Sequence, residues 1–289
     1  MPANIGIKRR RSRKTYFCGN RSCPLAFGWH TLAQLLAGVA HSSSNTHILG
    51  VLPARWGSSR FPGKPLHLIA GKPLIQHVWE RCQSCDKLDK ILVATDDQRI
   101  FDAVIGFGGE AVMTSSEHPT GTDRIAEALL AVPQASHIVN IQGDEPLIDP
   151  ALIDELATAM VNDPSLDMAT AANPISPDDP AVLDPNVVKV VISLSGRALY
   201  FSRSPLPYFR NEVAGLTVFR HKGIYAYSRG FLERFVTWPP SALEQAESLE
   251  QLRALENGAS ILVISTSDTS PGVDTLEQAH EVEHLLLNF

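Results

Sequence analysis

Ile48-Leu49-Gly50-Val51-Leu52-Pro53-Ala54-Arg55-Trp56-Gly57-Ser58-Ser59-Arg60-Phe61-Pro62-Gly63-Lys64-Pro65 opens the part of this 289-residue chain that reads as a fold. Its first five residues form an apolar run of strand length, the pattern of a strand covered on both faces. A loop with three cations in ten residues follows, then an amphipathic pattern over 72–84. Strand, loop and helix recur in this order to the end of the chain. Strands are expected at 48–52, 90–95, 110–114, 137–142, 167–172, 187–193, 223–227 and 260–266. Helices are expected at 72–84, 98–106, 121–131, 150–161, 230–237, 242–256 and 275–287. Such alternation predicts an α/β fold with a mostly parallel, doubly wound sheet. Segment 173–186 is rich in Pro and Asp and breaks the rhythm, because Pro donates no ladder hydrogen bond and biases its neighbour toward extended backbone. It marks the entry to an inserted lobe of about 174–228. No internal repeat is present.

The loop after the first strand carries the first functional signal. In α/β sheets ligands bind at the carboxyl ends of strands. Arg55, Arg60 and Lys64 there would converge on a polyanion, with Gly57 and Gly63 permitting close backbone approach. A triphosphate suits that charge; a solvated basic turn is the plainer alternative. A Walker A loop is excluded, since five residues separate Gly57 from Gly63 and Pro65 follows Lys64 where a hydroxyl is required. No G-x-G-x-x-G follows a strand, so a dinucleotide fingerprint is missing too.

Two acidic motifs follow. Asn140-Ile141-Gln142-Gly143-Asp144-Glu145-Pro146 ends the most apolar strand, where adjacent carboxylates are costly unless they meet a cation. Asp144 suits a hard oxygen ligand for Mg²⁺ bound to substrate phosphates, and a plain Gly-Asp-Glu-Pro turn is the alternative. Gly272-Val273-Asp274-Thr275 precedes the last helix. Asp274 fits an N-cap, with Glu277 completing a capping box, or a second carboxylate at the same metal.

Composition bounds the rest. With 44% hydrophobic and 19% charged residues the chain is ordinary globular protein, long enough for one large α/β domain or two smaller ones. No apolar run reaches the ~18 residues of a membrane span, so no stable membrane insertion is expected. The net charge of −6 is unevenly spread: residues 1–47 hold seven Lys or Arg and no Asp or Glu, so all 31 carboxylates lie in the body. An acidic body disfavours nucleic-acid binding. The basic 8–14 stretch, the moderately apolar 25–40 stretch and the Ser-rich patch after it resemble a presequence, and residues 1–47 are set apart as an extension. Cys18, Cys23, Cys82 and Cys85 are too few for a disulfide scaffold and suit a reducing compartment. Cys82-Gln83-Ser84-Cys85 has zinc or redox spacing but no second well-spaced pair.

Taken in order, these motifs resemble one family. Pro53 to Leu66 is similar to the PAR-x-x-S-x-R-x-PGKPL signature of 3-deoxy-manno-octulosonate (Kdo) cytidylyltransferases. Val93 to Asp96, His118 to Arg124, Asn140 to Pro146, Tyr200 to Arg203, Arg220 to Tyr227, Leu249 to Arg253 and Gly272 to Thr275 resemble its other blocks, over about 48–287. Trp56 stands where Tyr is usual, Thr120 where Ser is usual, and Lys222 where an aliphatic residue is usual.

The resemblance implies a nucleotide-diphospho-sugar transferase fold that moves CMP from CTP to Kdo, releasing pyrophosphate. It implies that Pro53, Ala54, Arg55, Ser58, Arg60 and Lys64 cradle the CTP phosphates, Arg60 and Lys64 neutralising the leaving pyrophosphate. Thr120, Gly121, Thr122 and Arg124 would line the cytidine pocket; Thr120 and Asp123 also read as a capping box. Gln142, Arg203, His221, Tyr225, Glu250 and Gln251 fall to the sugar-acid side, with Arg203 facing the Kdo carboxylate. Asp144 and Asp274 would hold Mg²⁺, and a homodimer through the inserted lobe is implied. Alternatives are CMP activation of another sugar acid such as sialate, a catalytically silent nucleotide-binding module, and a metal-dependent glycosyltransferase, against which the triphosphate loop argues. A bacterial cytoplasmic address is expected first, with a mitochondrial or plastid address if 1–47 is a presequence. Lipopolysaccharide is the expected destination of the sugar, a plant cell-wall polymer the other.

Overall fold

The computed structural model describes residues 46–57, 61–211 and 213–288. Residues 1–45 of the extension, and Ser58 and Arg60 of the phosphate-loop expectation, lie outside the described residues. Along the chain, β1 (Ile48–Ala54) leads to a small hairpin, β2 (Leu68–Ile69) and β3 (Lys72–Pro73), then α1 (Leu74–Gln83), β4 (Lys90–Thr95), α2 (Gln98–Gly106) and β5 (Ala111–Met113). Next come α3 (Gly121–Ala128), β6 (His137–Asn140), α4 (Pro150–Asn162), β7 (Met168–Ile175), β8 (Lys189–Ile192), β9 (Ala198–Ser202) and β10 (Val218–Ser228). The chain closes with α5 (Arg229–Phe235), α6 (Ala242–Glu247), α7 (Gln251–Glu256), β11 (Ile261–Ser265) and α8 (Leu276–Leu287).

One sheet runs in the order β11-β7-β10-β6-β1-β4-β5. β1 pairs in parallel with β4 on one side and β6 on the other, so the winding direction reverses at β1. That reversal opens a crevice at the carboxyl ends of β1 and β6, the position where open α/β sheets bind ligands. β10 is antiparallel to β6 and β7, and β8 and β9 extend the sheet from β10.

The apolar run of β1 explains why the sheet is covered on both faces. Leu49 and Val51 point into one core with Ile125 of α3, Phe231 of α5 and Leu252 of α7. Ile48, Leu52 and Ala54 point into the other, with Ile75 of α1, Ile100 of α2 and Leu152 of α4. Strand side chains alternate between faces, so a residue-by-residue apolar run serves two cores at once. Each fully buried Leu or Val there contributes about 1.5–3 kcal/mol.

Local differences from expectation have physical causes. The helix expected over 242–256 is two helices: Ser248 adopts left-handed backbone at φ 51°, ending α6, and the chain turns before α7. β10 spans 218–228 rather than 223–227, because its first half pairs with β7 and β8. β9 was not expected as a strand; Gly196 at φ 77° turns the chain so that it pairs with β8. The β2–β3 hairpin was not expected either, and turns on Ala70 and Gly71, both at positive φ. Among the described residues no helix is long and apolar enough to cross a membrane.

Candidate active site

A cleft of about 250 Å³ opens where β1 and β6 end, lined by Pro53, Ala54, Arg55, Lys64, Gly121, Arg124, Gln142, Gly143, Asp144 and Asp274, with Pro65. Three connections meet here. The loop after β1 brings Arg55 and Lys64, the loop after β6 brings Gln142 and Asp144, and the segment after β11 brings Asp274. Gly143 makes the approach possible. A Cβ there would stand 3.1 Å from the Pro53 carbonyl oxygen and 3.2 Å from Ile75, tighter than an ordinary contact, so glycine suits the close approach of the β6 loop to the end of β1. Gly63, at φ 72°, sits under the Trp56 ring and donates its N–H to the Trp56 carbonyl at 3.1 Å, folding the β1 loop back on itself. The Trp56 ring in turn lies against the Arg99 guanidinium, 3.3 Å from its centroid.

Lys64 is the electrostatic centre. Its ammonium donates to Asp144 Oδ2 at 2.7 Å and to Asp274 Oδ1 at 3.1 Å. The lysine side chain is 15% exposed, against 31% and 46% for the two carboxylates, so all three reach the cleft. Arg55 is exposed at the rim and forms no ion pair among the described residues. Asp274 is not the cap of α8. Thr275 is, its hydroxyl accepting from the Gln278 N–H at 3.3 Å, while Gln278 Oε1 accepts from the Asp274 and Thr275 N–H groups at 2.7 and 3.1 Å. The capping box therefore uses Thr275 and Gln278, and the Asp274 carboxylate is left to meet Lys64.

Of the expected cytidine block, Gly121 and Arg124 line the cleft and Thr120 and Thr122 do not. Thr120 caps α3 through the Asp123 N–H, and its hydroxyl lies 2.7 Å from Asp123 Oδ2 and 3.0 Å from Glu250 Oε1, with one proton to share between them. Thr122 donates to the other Glu250 oxygen at 2.6 Å, and Arg253 donates to Glu250 at 2.9 Å. The capping reading of Thr120 holds, and Gly121 and Arg124 of the same block line the cleft. Burial holds the Glu250 carboxyl above its ordinary range, against the pull of the two threonines and Arg253. The break in helix 242–256 is what delivers Glu250 here, at the start of α7. Arg124 lines the cleft, yet its guanidinium is committed to Asp96 at 2.6 Å and to Thr114. It is a fixed wall of the pocket rather than a loose cation.

The residues expected on the sugar-acid side divide. Gln142 lines the cleft and donates to Asn140 at 3.2 Å. His221 and Tyr225 flank an irregularity in β10: Lys222 pairs with Ala171 of β7 but Tyr225 with Thr170, leaving Gly223 and Ile224 bulged. The Thr170 hydroxyl anchors the bulge, 2.7 Å from the Ile224 carbonyl, 3.1 Å from that of Lys222 and 2.9 Å from His221 Nε2. Among Phe201, Tyr225 and this hydroxyl, burial pulls His221 down to about 3 and pushes the Tyr225 phenol well above its ordinary value. Both are neutral groups at neutral pH. Gln251 is buried at the start of α7. Arg203 does not line the cleft; its guanidinium donates to the carbonyls of Glu247, Pro185 and Ser248 at 2.7, 3.0 and 3.4 Å.

Sequence reasoning gave no role to Thr170, Asp96, Glu145 or Lys222. The isolated Gly223 inside a strand pattern was the signal for the bulge. Glu145 meets the Lys222 ammonium at 3.1 Å, so each of the two adjacent carboxylates has its own cation. The Cys82–Cys85 pair is remote from this site: Cys82 packs in the core and burial pushes the Cys85 thiol up to about 12. Among the described residues no cluster of three His, Cys, Asp or Glu could hold a metal ion.

The crevice at this topological switch point, with two carboxylates facing the Lys64 ammonium and Arg55 beside them, suits a polyanionic ligand and its counter-ion. The cytidylyltransferase family model matches residues 49–261. The chain is 50% identical over 246 residues to the 3-deoxy-manno-octulosonate cytidylyltransferase of Geobacter sulfurreducens, covering 82% of this chain and 98% of that one. It is 49% identical over 248 residues to the enzyme of that name from Pseudomonas syringae pv. syringae, covering 82% and 96%. The solved structure of a CMP:2-keto-3-deoxy-manno-octonic acid synthetase complexed with CTP superimposes with a TM-score of 0.81 at 45% identity, over 84% of this chain and 99% of that one. A cytidylyltransferase from Leptospira borgpetersenii, at 16% identity and a TM-score of 0.58, shares the fold, matching over 84% of this chain and 88% of its own. The chain belongs to the 3-deoxy-manno-octulosonate cytidylyltransferase family.

Proposed function

We infer that this protein transfers CMP from CTP to 3-deoxy-D-manno-octulosonate, forming CMP-Kdo and pyrophosphate. The carrying observation is Lys64 between Asp144 and Asp274 in the crevice beside β1. That triad offers a cation to a triphosphate and two hard oxygen donors to a divalent ion, which is what phosphoryl-group chemistry requires. Two carboxylates are too few to cage an ion by themselves, but they suit Mg²⁺, which keeps waters and substrate phosphates in its shell. Asp144 and Asp274 fit that role because they converge closely enough for the Lys64 ammonium to reach both. Bound there, Mg²⁺ would supply Lewis-acid polarisation of substrate phosphate oxygens and a lower pKa for the attacking sugar hydroxyl.

The chain's own residues supply positioning and charge. Arg55 and Lys64, with Arg60 from the same loop, receive the β- and γ-phosphates and stabilise the charge that builds on the leaving pyrophosphate. Glu250, fixed by Thr120 and Thr122, serves the sugar-acid side, and Gly121 lets the nucleotide approach the start of α3. His221 and Tyr225, both neutral, offer hydrogen bonds to sugar hydroxyls without competing for the phosphates. Arg203 serves the sugar carboxylate by exchanging its present carbonyl contacts for that anion.

The protein works as a homodimer in the cytoplasm and activates the sugar acid for lipopolysaccharide synthesis. Supporting a dimer, Leu183, Leu194, Leu199, Tyr208 and Val213 are exposed along the segment joining β7 to β10. The test is pyrophosphate release from CTP by the full chain with and without Mg²⁺, offering Kdo, sialic acid or no acceptor. Mg²⁺-dependent release with Kdo alone is expected. Release with sialic acid instead, or CTP binding without release, refutes the assignment.

A further inference from the structure

The loops that deliver Asp144 and Asp274 are joined a second time, away from Lys64, by a side chain that takes no part in the chemistry above. Lys222, on the β10 bulge, is 8% exposed. Its ammonium lies 3.1 Å from Glu145 Oε2, 3.2 Å from Asp268 Oδ2, 2.9 Å from Ser270 Oγ and 3.4 Å from the Ser270 carbonyl. Glu145 directly follows Asp144, and Asp268 and Ser270 lie on the segment running from β11 to Asp274. One cation therefore ties β10 to both carboxylate-bearing loops. Asn173 of β7 steadies the same segment, donating to the carbonyls of Thr266 and Asp268 at 2.9 and 2.8 Å.

The cluster is costly to build and to break. Glu145 Oε2 is buried without a well-aligned hydrogen bond and relies on the ammonium for compensation. Burial holds the Glu145 carboxyl above its ordinary range against the pull of Lys222, whereas at Asp268 the Ser270 amide and Lys222 outweigh burial and hold the carboxyl below it. An apolar side chain in place of a buried ion pair is often neutral or stabilising. The value of the ammonium lies in what it positions. Lys64 joins Asp144 and Asp274 only while it stands between them, and a triphosphate competes for that ammonium. The Val273 N–H bond to the Asp144 carbonyl, 2.8 Å, and the Lys222 bridge then remain to hold the loops together.

Resting on the reading of Asp144 and Asp274 as the divalent-cation pair, we propose that Lys222 is a positioning residue that fixes the spacing of these carboxylates by tying Glu145 to Asp268 and Ser270. The effect belongs to metal binding, and partners behind metal ligands are typically worth about 10- to 100-fold in affinity.

The experiment titrates Mn²⁺, a paramagnetic stand-in for Mg²⁺, into the full chain saturated with a non-hydrolysable CTP analogue, reading free ion by electron paramagnetic resonance against an analogue-only control. Lys222→Met weakens Mn²⁺ binding about 10-fold or more, and Asp268→Asn, a gentler cut of the same bridge, weakens it in the same direction. Nucleotide affinity without metal stays within about twofold of the parent in both. Where Lys222→Met fails to fold, Asp268→Asn decides. Folded variants with parental Mn²⁺ affinity overturn the proposal, whatever their melting temperatures. A parent that binds no Mn²⁺ beyond the control overturns the two-carboxylate reading itself, and the proposal with it.

Discussion

Asp274→Asn separates catalysis from stability more cleanly than any other change at this site. The structure assigns the cap of α8 to Thr275 and Gln278, so asparagine at 274 leaves both capping-box bonds in place. The backbone N–H of residue 274 still reaches Gln278 Oε1 at 2.7 Å. Among the described residues, the ion pair lost is the 3.1 Å contact with Lys64, made by a side chain that is 46% exposed. A pair so accessible to water contributes on the order of 0–1 kcal/mol. For a folded body of this size that corresponds to about 0–4 °C in Tm. The chemical consequence is far larger. Removing one preorganised charge at a phosphoryl-transfer site costs about 10²–10³ in kcat, or roughly 3–4 kcal/mol. Steady-state pyrophosphate release at saturating CTP, Kdo and Mg²⁺ measures kcat, and CTP binding by calorimetry checks that the nucleotide still enters. The expected result is a 10²-fold or greater fall in kcat, CTP affinity within a few-fold and Tm within about 4 °C. Turnover within threefold of the parent refutes a chemical role for Asp274. A Tm loss of 8 °C or more refutes the assignment of the cap.

Gly143→Ala places a methyl 3.1 Å from a backbone carbonyl that cannot swing away. It should cost about 1–3 kcal/mol and raise KM for CTP, read by thermal melting and initial rates; an unchanged Tm contradicts the close approach. His221, pulled down to about 3 from 6.5, is neutral in the fold and protonates first in the unfolded chain. Its contribution to stability is present above about pH 6.5 and is lost as pH falls toward 3, at up to about 1.4 kcal/mol per pH unit. Denaturant melts from pH 7 to 4 should therefore show a shallower acid-side loss in His221→Asn than in the parent; identical slopes remove His221 from that titration. Ala70→Asn should raise Tm by about 1–3 °C, since φ 48° beside Gly71 at φ 79° is the two-residue hairpin turn that asparagine tolerates better than alanine. A lowered Tm there would show that the turn is held by its tertiary contact, the Ala70 N–H to Glu283 bond of 2.7 Å.

Most of the elements were legible because their signals are local. The β1 run, the 98–106 helix and Thr120 as a cap each depend on a few neighbouring residues, and the structure places them at the expected positions. The expected helix 242–256 misled because its apolar period continues across Ser248, and only a left-handed backbone at that residue interrupts it. Asp274 was equally ambiguous, since Asp-Thr-Leu-Glu and Thr-Leu-Glu-Gln both spell capping boxes and one residue of register decides between them. The Lys222 cluster was invisible. Its partners lie 77 positions upstream at Glu145 and 46 downstream at Asp268, and a charge inside a strand pattern reads simply as an outward-facing residue.

The sequence by itself determined the alternation of strands and helices, the cationic loop after β1 and the two acidic motifs, because periodicity and turn chemistry act over a handful of residues. It also carried the family resemblance, as an ordered set of blocks. Only the tertiary structure decided which charges meet. Lys64 takes Asp144 and Asp274, Lys222 takes Glu145 and Asp268, Arg124 takes Asp96, and Thr120 and Thr122 take Glu250. Ion pairs and hydrogen bonds depend on separations of about 3 Å between atoms far apart in the chain, and those separations are set by how β1, β6, β10, β7 and β11 lie side by side in one sheet.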